Sequence, residues 1–462
     1  MPPQQLDWSI VAETRAKEKK THVSFPQLKY PSFRNKYFID PVQWRQTKAM
    51  DDGAEGIWRV HDKLYDLTSF IEHHPGGGNW LELTKGTDIT EAFEAHHINP
   101  TAEKMLNKFY VREAKTPRNS PFTFKDDGFY RTLKKAVNEE LKKLPKDIPK
   151  TSDRITDGLF VALLCSSSIA CWVSDYWAGW LCYIVASIML TFLTIACHNY
   201  IHRRTNWRMY LFNMSMWSYR DFRVSHVISH HLYTNTLWDL EISCLEPVLY
   251  LLPRKDKPIY AKFGFIAELF LFPLVFIFSF IKRFHSIYIG TEKFNWDDIT
   301  GLILPLIMWV TSGAPILHVL YNWIWIVSTG SLLFFLVGVN AAHHHPDVMK
   351  DGDKPKSETP DWGEHQLEAV LDRKDVNSNT FTVLTLFGDH ALHHLFPTLD
   401  HGVLKNLYPI FLEHCDKFQA NYHVRTQLKA VIGQIKEHWR TQSKSYNEQP
   451  SKTHKNLATC LW

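Results

Sequence analysis

The stretch "DHALHHLFP", Asp389 to Pro397, sets three imidazoles at His390, His393 and His394 directly against Leu395, Phe396 and Pro397. Three clustered imidazoles that all became cations would repel one another, so the arrangement requires something that holds them neutral. A metal ion does this. On a helix, offsets of zero, three and four put the three rings on one face, with Leu395 and Phe396 as a wall against water. This pattern predicts that His390 is a metal ligand together with His393 and His394.

Two more clusters extend the pattern. "HNYIH" places His198 and His202 four apart, on one face of a helix, and "HVISHH" offers His226, His230 and His231. One pair at helical spacing is more often structural than ligating. Three clusters, each beside long apolar sequence, reverse that preference. An ion takes about four ligands, so eight histidines predict two metals. "NAAHHHPD", residues 340 to 347, adds a triplet from which His344 is expected as a ninth ligand, the alternative being a histidine cap on a helix C-terminus.

The apolar sequence around these clusters reads as membrane. Although 22% of residues are charged, no Lys or Arg occurs from Ile155 to His202 or from Ile299 to Met349. A spanning helix needs about 20 apolar residues, and four stretches qualify: 156 to 174, 177 to 197, 299 to 316 and 318 to 339. They pair into two hairpins whose flanking Lys and Arg place both termini and the middle of the chain in the cytosol. A fifth stretch, "FGFIAELFLFPLVFIFSF" at 263 to 280, is expected to be interfacial or re-entrant. If it crossed, the histidines before and after it would face opposite sides. A net charge of +4 gives no sign of a nucleic-acid partner.

Ahead of the apolar half, "LYDLTSFIEHHPGGGNW" runs from Leu64 into a turn at His74, Pro75, Gly76 and Gly77, and "DITEAFEAHHINP" supplies a second pair, His96 and His97. A haem held edge-on between two helices needs one imidazole from each side and small turn residues beside it. An electron donor fused to redox-silent zinc would have nothing to reduce, so the ions expected at the eight histidines are iron.

On these residues, Asp40 to Glu113 resembles the cytochrome b5 domain, with Trp58, Val60, Tyr65, Asp66 and Phe70 before the His-Pro-Gly-Gly core, and "AHHIN" where fused lipid desaturases often read Ala-Phe-His-Ile-Asn. The resemblance implies haem b with His74 and His97 as axial ligands, and leaves His73 and His96 as solvated neighbours. From Ile155 to Tyr422 the chain resembles the membrane fatty-acid desaturase superfamily, through the three histidine boxes, "DWGEHQLEAV" and "HHLFP".

The order implied is that of a b5-fused desaturase. The expected fold class is multidomain, an α+β cytochrome b5-like domain followed by an all-α four-span membrane domain. The expected divisions are a polar N-terminal tail (1–39), the haem domain (40–113), a linker with an amphipathic helix (114–150), the di-iron domain (151–425) and a polar C-terminal tail (426–462).

The resemblance further implies desaturation of a fatty acyl or lipid substrate with O2, two non-haem irons, NADH-cytochrome b5 reductase as electron donor, and residence in the endoplasmic reticulum membrane with the metal site cytosolic. Two departures stand out. Front-end desaturases usually carry Gln where His390 stands, and their second box is His-x-x-His-His, whereas His226 lies one residue further out, rotated by about 100° on an α-helix. The alternatives are a hydroxylase on the same centre, or a membrane-anchored b5 electron carrier with an inactive desaturase domain.

Overall fold

The structure, a computed structural model, describes residues 23–35, 40–173, 176–242, 245–339 and 343–446. Short apolar runs build a three-stranded antiparallel sheet: β1 (Trp58–Val60), β2 (Lys63–Tyr65) and β3 (Tyr110–Glu113), in that order, with Trp58 opposite Tyr65 and Lys63 opposite Glu113. Trp58 is fully buried, and its indole N–H donates to the Leu81 carbonyl at 3.1 Å, tying the sheet to the helix Gly78–Thr84. That helix follows the His-Pro-Gly-Gly turn. A second helix, Thr90–His96, ends one residue before His97. Both histidines therefore stand at helix ends that frame one cavity.

The helix expected in the linker forms as α1 (Phe129–Leu141). Its apolar face lies neither on a membrane nor in water, because Tyr130 packs on Trp362 (centroids 4.7 Å) and Phe129 on Phe418 (5.7 Å). Its polar residues Lys134 (2.5 Å) and Arg131 pair with the buried Glu94 of the first unit. The helix is a clamp between the two halves of the chain.

Among the described residues four helices are long and apolar enough to cross a membrane: Pro149–Trp172, Trp177–Ile201, Ile259–Tyr288 and Ile316–Gly338. The structural helices are α2 (Pro149–Trp172), α3 (Tyr176–Ile201), α4 (Gly264–Tyr288) and α6 (Ile316–Val339), with the short α5 (Ile303–Ser312) between the last two. The set differs from the sequence expectation at its third member. The stretch 299 to 316 is not one long helix. A 3₁₀ segment, Trp296–Leu302, of 7 residues leads into the 10 residues of α5, which stops at Gly313 with φ of 65°. The larger 3₁₀ rise lets the two together reach roughly 29 Å, near the roughly 30 Å of a hydrocarbon core. Between the two hairpins small residues allow close approach: Thr191 Oγ1 on α3 donates to the Gly330 carbonyl on α6 at 3.1 Å.

The stretch 263 to 280 lies in a continuous 25-residue helix, α4, longer than expected. Pro273 does not break it. The Ser331 hydroxyl of α6 inserts one turn later, accepting from Phe276 N at 3.3 Å and donating to Phe272 O at 2.5 Å, so the disturbed ladder is satisfied from a neighbouring helix. Both ends of α4 bind segments next to the histidines. Glu268 accepts from His438 at 2.9 Å, and Arg283 pairs with Asp298 at 2.9 Å and with Asp221 at 3.5 Å, five residues before His226. Ile266, Phe270, Leu274, Phe278 and Ile281 form one outward apolar face. His231 and His343 lie in adjoining clusters, so an even number of crossings separates them, and both ends of α4 bind segments that lie beside those clusters.

The ends of the chain depart from the expected tails. Phe25 is buried against Phe122 and His365, so apolar side chains dock part of the stretch 1–39 onto the body. Past 426 the chain forms α8 (Gln427–Trp439) after β5 (His423–Arg425), which pairs in parallel with β4 (Leu371–Arg373). Leu428, Ile432, Ile435 and Trp439 line the exposed side of α8, and Trp439 meets Phe263 beside α4 (centroids 5.8 Å). The polar composition of this segment hid its helical apolar spacing.

Single cysteines introduced at the exposed Lys255 and Lys293, on either side of α4, should react with a membrane-impermeant maleimide from the same face of sealed vesicles. Labelling from opposite faces would mean that α4 crosses.

Candidate haem and metal centres

The rings of His74 and His97 face each other with centroids 6.1 Å apart. Two imidazoles on one ion at about 2.0 Å each would stand roughly 6.3 Å apart, so the pair fits a bis-imidazole haem. In each ring Nδ1 bonds a backbone carbonyl at 2.9 Å, Gly77 for His74 and Phe93 for His97, which leaves Nε2 for the cavity. Burial draws the His97 pKa down to about 4, favouring the neutral, ligating form. Gly76 packs on the ring it follows: a Cβ there would come within 2.9 Å of His74 Cε1. The cavity measures about 850 Å³ and is lined by Leu67, Phe70, Ile89, Phe93 and Phe109; its far wall is Tyr200, His202, Arg203 and Arg204. It therefore opens directly onto the first histidine box.

His73 is exposed, as expected of a neighbour. His96 is not a solvated neighbour. It is half-buried on Trp80 (centroids 5.8 Å), its Nε2 is closed off from solvent, and burial pushes its pKa down to about 3. The expectation failed because the second half of the chain covers this side of the haem unit.

The three boxes converge. One cluster joins His198, His202, His226, His231 and His393. Nε2 of His198 lies 2.8 Å from those of His202 and His226 and 3.2 Å from that of His393, while His231 Nε2 is 3.1 Å from His226 Nε2. A second cluster holds His230, His343 and His394; His343 Nε2 is 3.0 Å from His230 Nε2 and 2.8 Å from His390 Nε2. Ligands at about 2.1 Å from one ion, at right angles, have nitrogens about 3.0 Å apart, so both donor sets fit an imidazole-bound ion. The clusters adjoin through His231 and His394, whose rings stack at 3.9 Å. Burial and neighbouring imidazoles hold His231, His343, His393 and His394 well toward the neutral form.

Two sequence puzzles resolve here. The long spacing of the second box sits on a π-helix, Arg223–His230, whose closing bond runs from the His231 N–H to the His226 carbonyl. A wider turn puts residues five apart on one face, so the extra residue does not rotate His226 away. The third box is the expected helix, α7 (His390–Leu395), but its rings divide: His393 joins the first cluster, His390 and His394 the second.

His344 requires correction. The histidine brought into the cluster from the triplet is His343, whose Nδ1 meets the Ala369 carbonyl at 3.3 Å. His344 lines the adjoining cavity. Three consecutive histidines cannot be told apart without the chain direction at the end of α6.

The sequence reading also missed the groups behind the rings. Glu241 holds His226 Nδ1 at 2.8 Å, Asp239 holds His230 Nδ1 at 2.9 Å, Gln366 holds His394 Nδ1 at 3.0 Å, and His401 Nε2 meets His393 Nδ1 at 3.1 Å. Such partners fix tautomer and ring orientation. Only Gln366 lay within a segment singled out by its motif. An apolar cavity of about 280 Å³, lined by Leu240, Leu271, Val275, Phe278, Phe334 and Phe335, reaches His226, His230, His343 and His390.

This geometry defines a small unit with a paired-imidazole cavity, joined to a domain of long apolar helices that carries a buried histidine cluster. Residues 174–426 match the fatty acid desaturase family, and residues 43–115 match the cytochrome b5-like heme/steroid binding domain; the chain belongs to the fatty acid desaturase family and carries a fused cytochrome b5-like domain. It is 41% identical over 414 residues to the cytochrome b5-related protein of Drosophila melanogaster, covering 88% of this chain and 94% of that protein. A probable Delta(5) fatty acid desaturase C of Dictyostelium discoideum is 26% identical, over 86% of this chain and 94% of its own length. The acyl-lipid (8-3)-desaturase of Mortierella alpina is 24% identical, over 86% and 96%. These families imply haem in the first site and iron in the second.

His74→Ala and His97→Ala should each lose the six-coordinate b-type spectrum; an unaltered reduced spectrum in either would exclude that residue as an axial ligand. His343→Ala should lose non-haem iron by elemental analysis while His344→Ala keeps it. His401→Ala should weaken iron binding by roughly 10–100-fold, measured by chelator competition.

Proposed function

We propose that the protein is a membrane di-iron oxygenase that desaturates a fatty acyl chain, using O2 and electrons relayed through its own b5-type haem. The observation that carries this reading is the placement of nine imidazoles, in two adjoining clusters, at the end of an apolar cavity and directly behind the haem cavity. In this reading His74 and His97 hold the haem. His198, His202, His226, His231 and His393 hold one iron, and His230, His343, His390 and His394 the other.

Bound iron would supply the reduction of O2 that drives C–H cleavage. The balance is R–CH2–CH2–R′ + O2 + 2 e⁻ + 2 H⁺ → R–CH=CH–R′ + 2 H2O. The chain's own residues do the rest. Leu271, Val275, Phe278, Phe334 and Phe335 hold the acyl chain in fixed register beside the clusters, so that orientation rather than acid–base chemistry selects the carbon. Leu395 and Phe396, both buried behind the third box, exclude water. Electrons enter from NADH-cytochrome b5 reductase at the endoplasmic reticulum membrane, and the histidine face is cytosolic.

The purified protein, supplied with NADH, the reductase and isotopically labelled acyl lipids, should release an alkene product. A hydroxylated product instead would assign the second outcome open to the same centre, and no product together with no non-haem iron would favour an electron carrier. His390→Ala should lose the product and non-haem iron while its haem spectrum stays normal. If the variant retains both irons and full turnover, His390 is not a ligand.

A further inference from the structure

His96 stands where the haem cavity meets the first histidine box. One ring nitrogen bonds the Ala92 carbonyl, and Nε2 is closed off from solvent without a partner. On the same cavity wall is His202, whose Nε2 points into the metal cluster, 2.8 Å from that of His198. The other nitrogen of His202, Nδ1, is also closed off from solvent without a partner. An imidazole that ligates through Nε2 carries its proton on Nδ1 and gives it to a neighbour. His226, His230, His393 and His394 have such neighbours; among the described residues the Nδ1 atoms of His198, His202, His231 and His390 have none, and of these four rings only His202 lines the haem cavity. Around His96 the contact between the two halves is firm: Trp80 stacks on it, and the buried Arg223, the first residue of the π-helix, lies 4.4 Å over the Trp80 ring while donating to Asn79 at 3.0 Å and to the Ile201 carbonyl at 3.2 Å.

We infer that His96 is a positioning residue for electron transfer, bridging the haem cavity and the metal centre by accepting the Nδ1–H of His202 through one water. The inference rests on the function proposed above. In each transfer one electron leaves ferrous haem and one ferric ion becomes ferrous; no bond or proton changes hands at His96, and two transfers supply one turnover. Trp80 and Arg223 keep the ring in place.

The test uses the full-length protein loaded with haem and iron, reduced, and mixed with O2 and acyl substrate in a stopped-flow instrument, with decay of the ferrous haem α-band as the readout. His96→Phe keeps a ring on Trp80 and removes both nitrogens. Compared at equal non-haem iron occupancy, it should slow the decay by about tenfold or more, with haem content and haem midpoint potential unchanged. His96→Gln, which retains an acceptor, should recover part of the rate. A wild-type rate in His96→Phe would overturn the inference, as would loss of haem or iron in both variants, which would make His96 a structural residue. If wild-type haem itself shows no iron-dependent oxidation, it is the proposed function that fails.

Discussion

Nine imidazoles with nitrogens about 3 Å apart in a buried site form the constraint around which the second half of the chain is built. Charged, such a group would repel itself with little solvent to relieve it. Neutral, each ring must present a lone pair inward and place its proton outward. That requirement explains the polar shell in an otherwise apolar interior. Glu241, Asp239, Gln366 and His401 come from three separate segments, and each meets the rear nitrogen of one ring. The third box is anchored likewise: Asp372 accepts from the backbone N–H groups of His390 and Ala391 at 2.7 and 3.1 Å, and is itself held by Tyr408 and Tyr422.

The architecture follows from bringing three distant boxes to one place. Helix α3 delivers the first pair from its C-terminal end, the π-helix delivers the second box, and α7 the third. Each occupies a polar edge of the apolar bundle, where backbone irregularity can be satisfied by neighbouring protein. The same economy governs α4, whose Pro273 is accommodated by a hydroxyl from α6 and whose ends return to the histidine face through Glu268 and Arg283. A helix of that composition could cross a bilayer by length alone. Its ion pairs tie both of its ends to segments beside the histidine clusters.

The haem unit is not an appendage on a loose tether. Burial would raise the pKa of Glu94, but His61, Lys134 and Arg131 outweigh it and hold the carboxylate well below its usual range; two of those three partners lie on the clamp helix α1. Arg118 bonds Asp88 and Glu91 (2.8 and 2.6 Å), and Tyr233, two residues beyond the second box, also bonds Glu91 at 3.2 Å. Docked in this way, the second half of the chain gives the haem cavity a wall that includes His202. The geometry suits a donor and acceptor that exchange electrons within one molecule.

The sequence by itself determined the two-part order of the chain and singled out the pair His74 and His97 and the eight box histidines that the fold brings together, because these depend on local patterns: turn glycines, helical offsets, and runs of residues without Lys or Arg. It also located every apolar segment. Tertiary structure alone decided which of these were long helices, because helix length at 263 to 280 depends on Ser331 from another helix and on ion pairs to Asp298, Asp221 and His438. It likewise chose His343 over His344, since adjacent residues differ only in the direction the backbone gives them. The fit of His226 came from a π-helical turn that α-helical spacing does not foresee. The burial of His96, the docking of Phe25 and the rear partners Glu241, Asp239 and His401 came from segments that meet only when the whole chain is folded, and no local pattern records such a meeting.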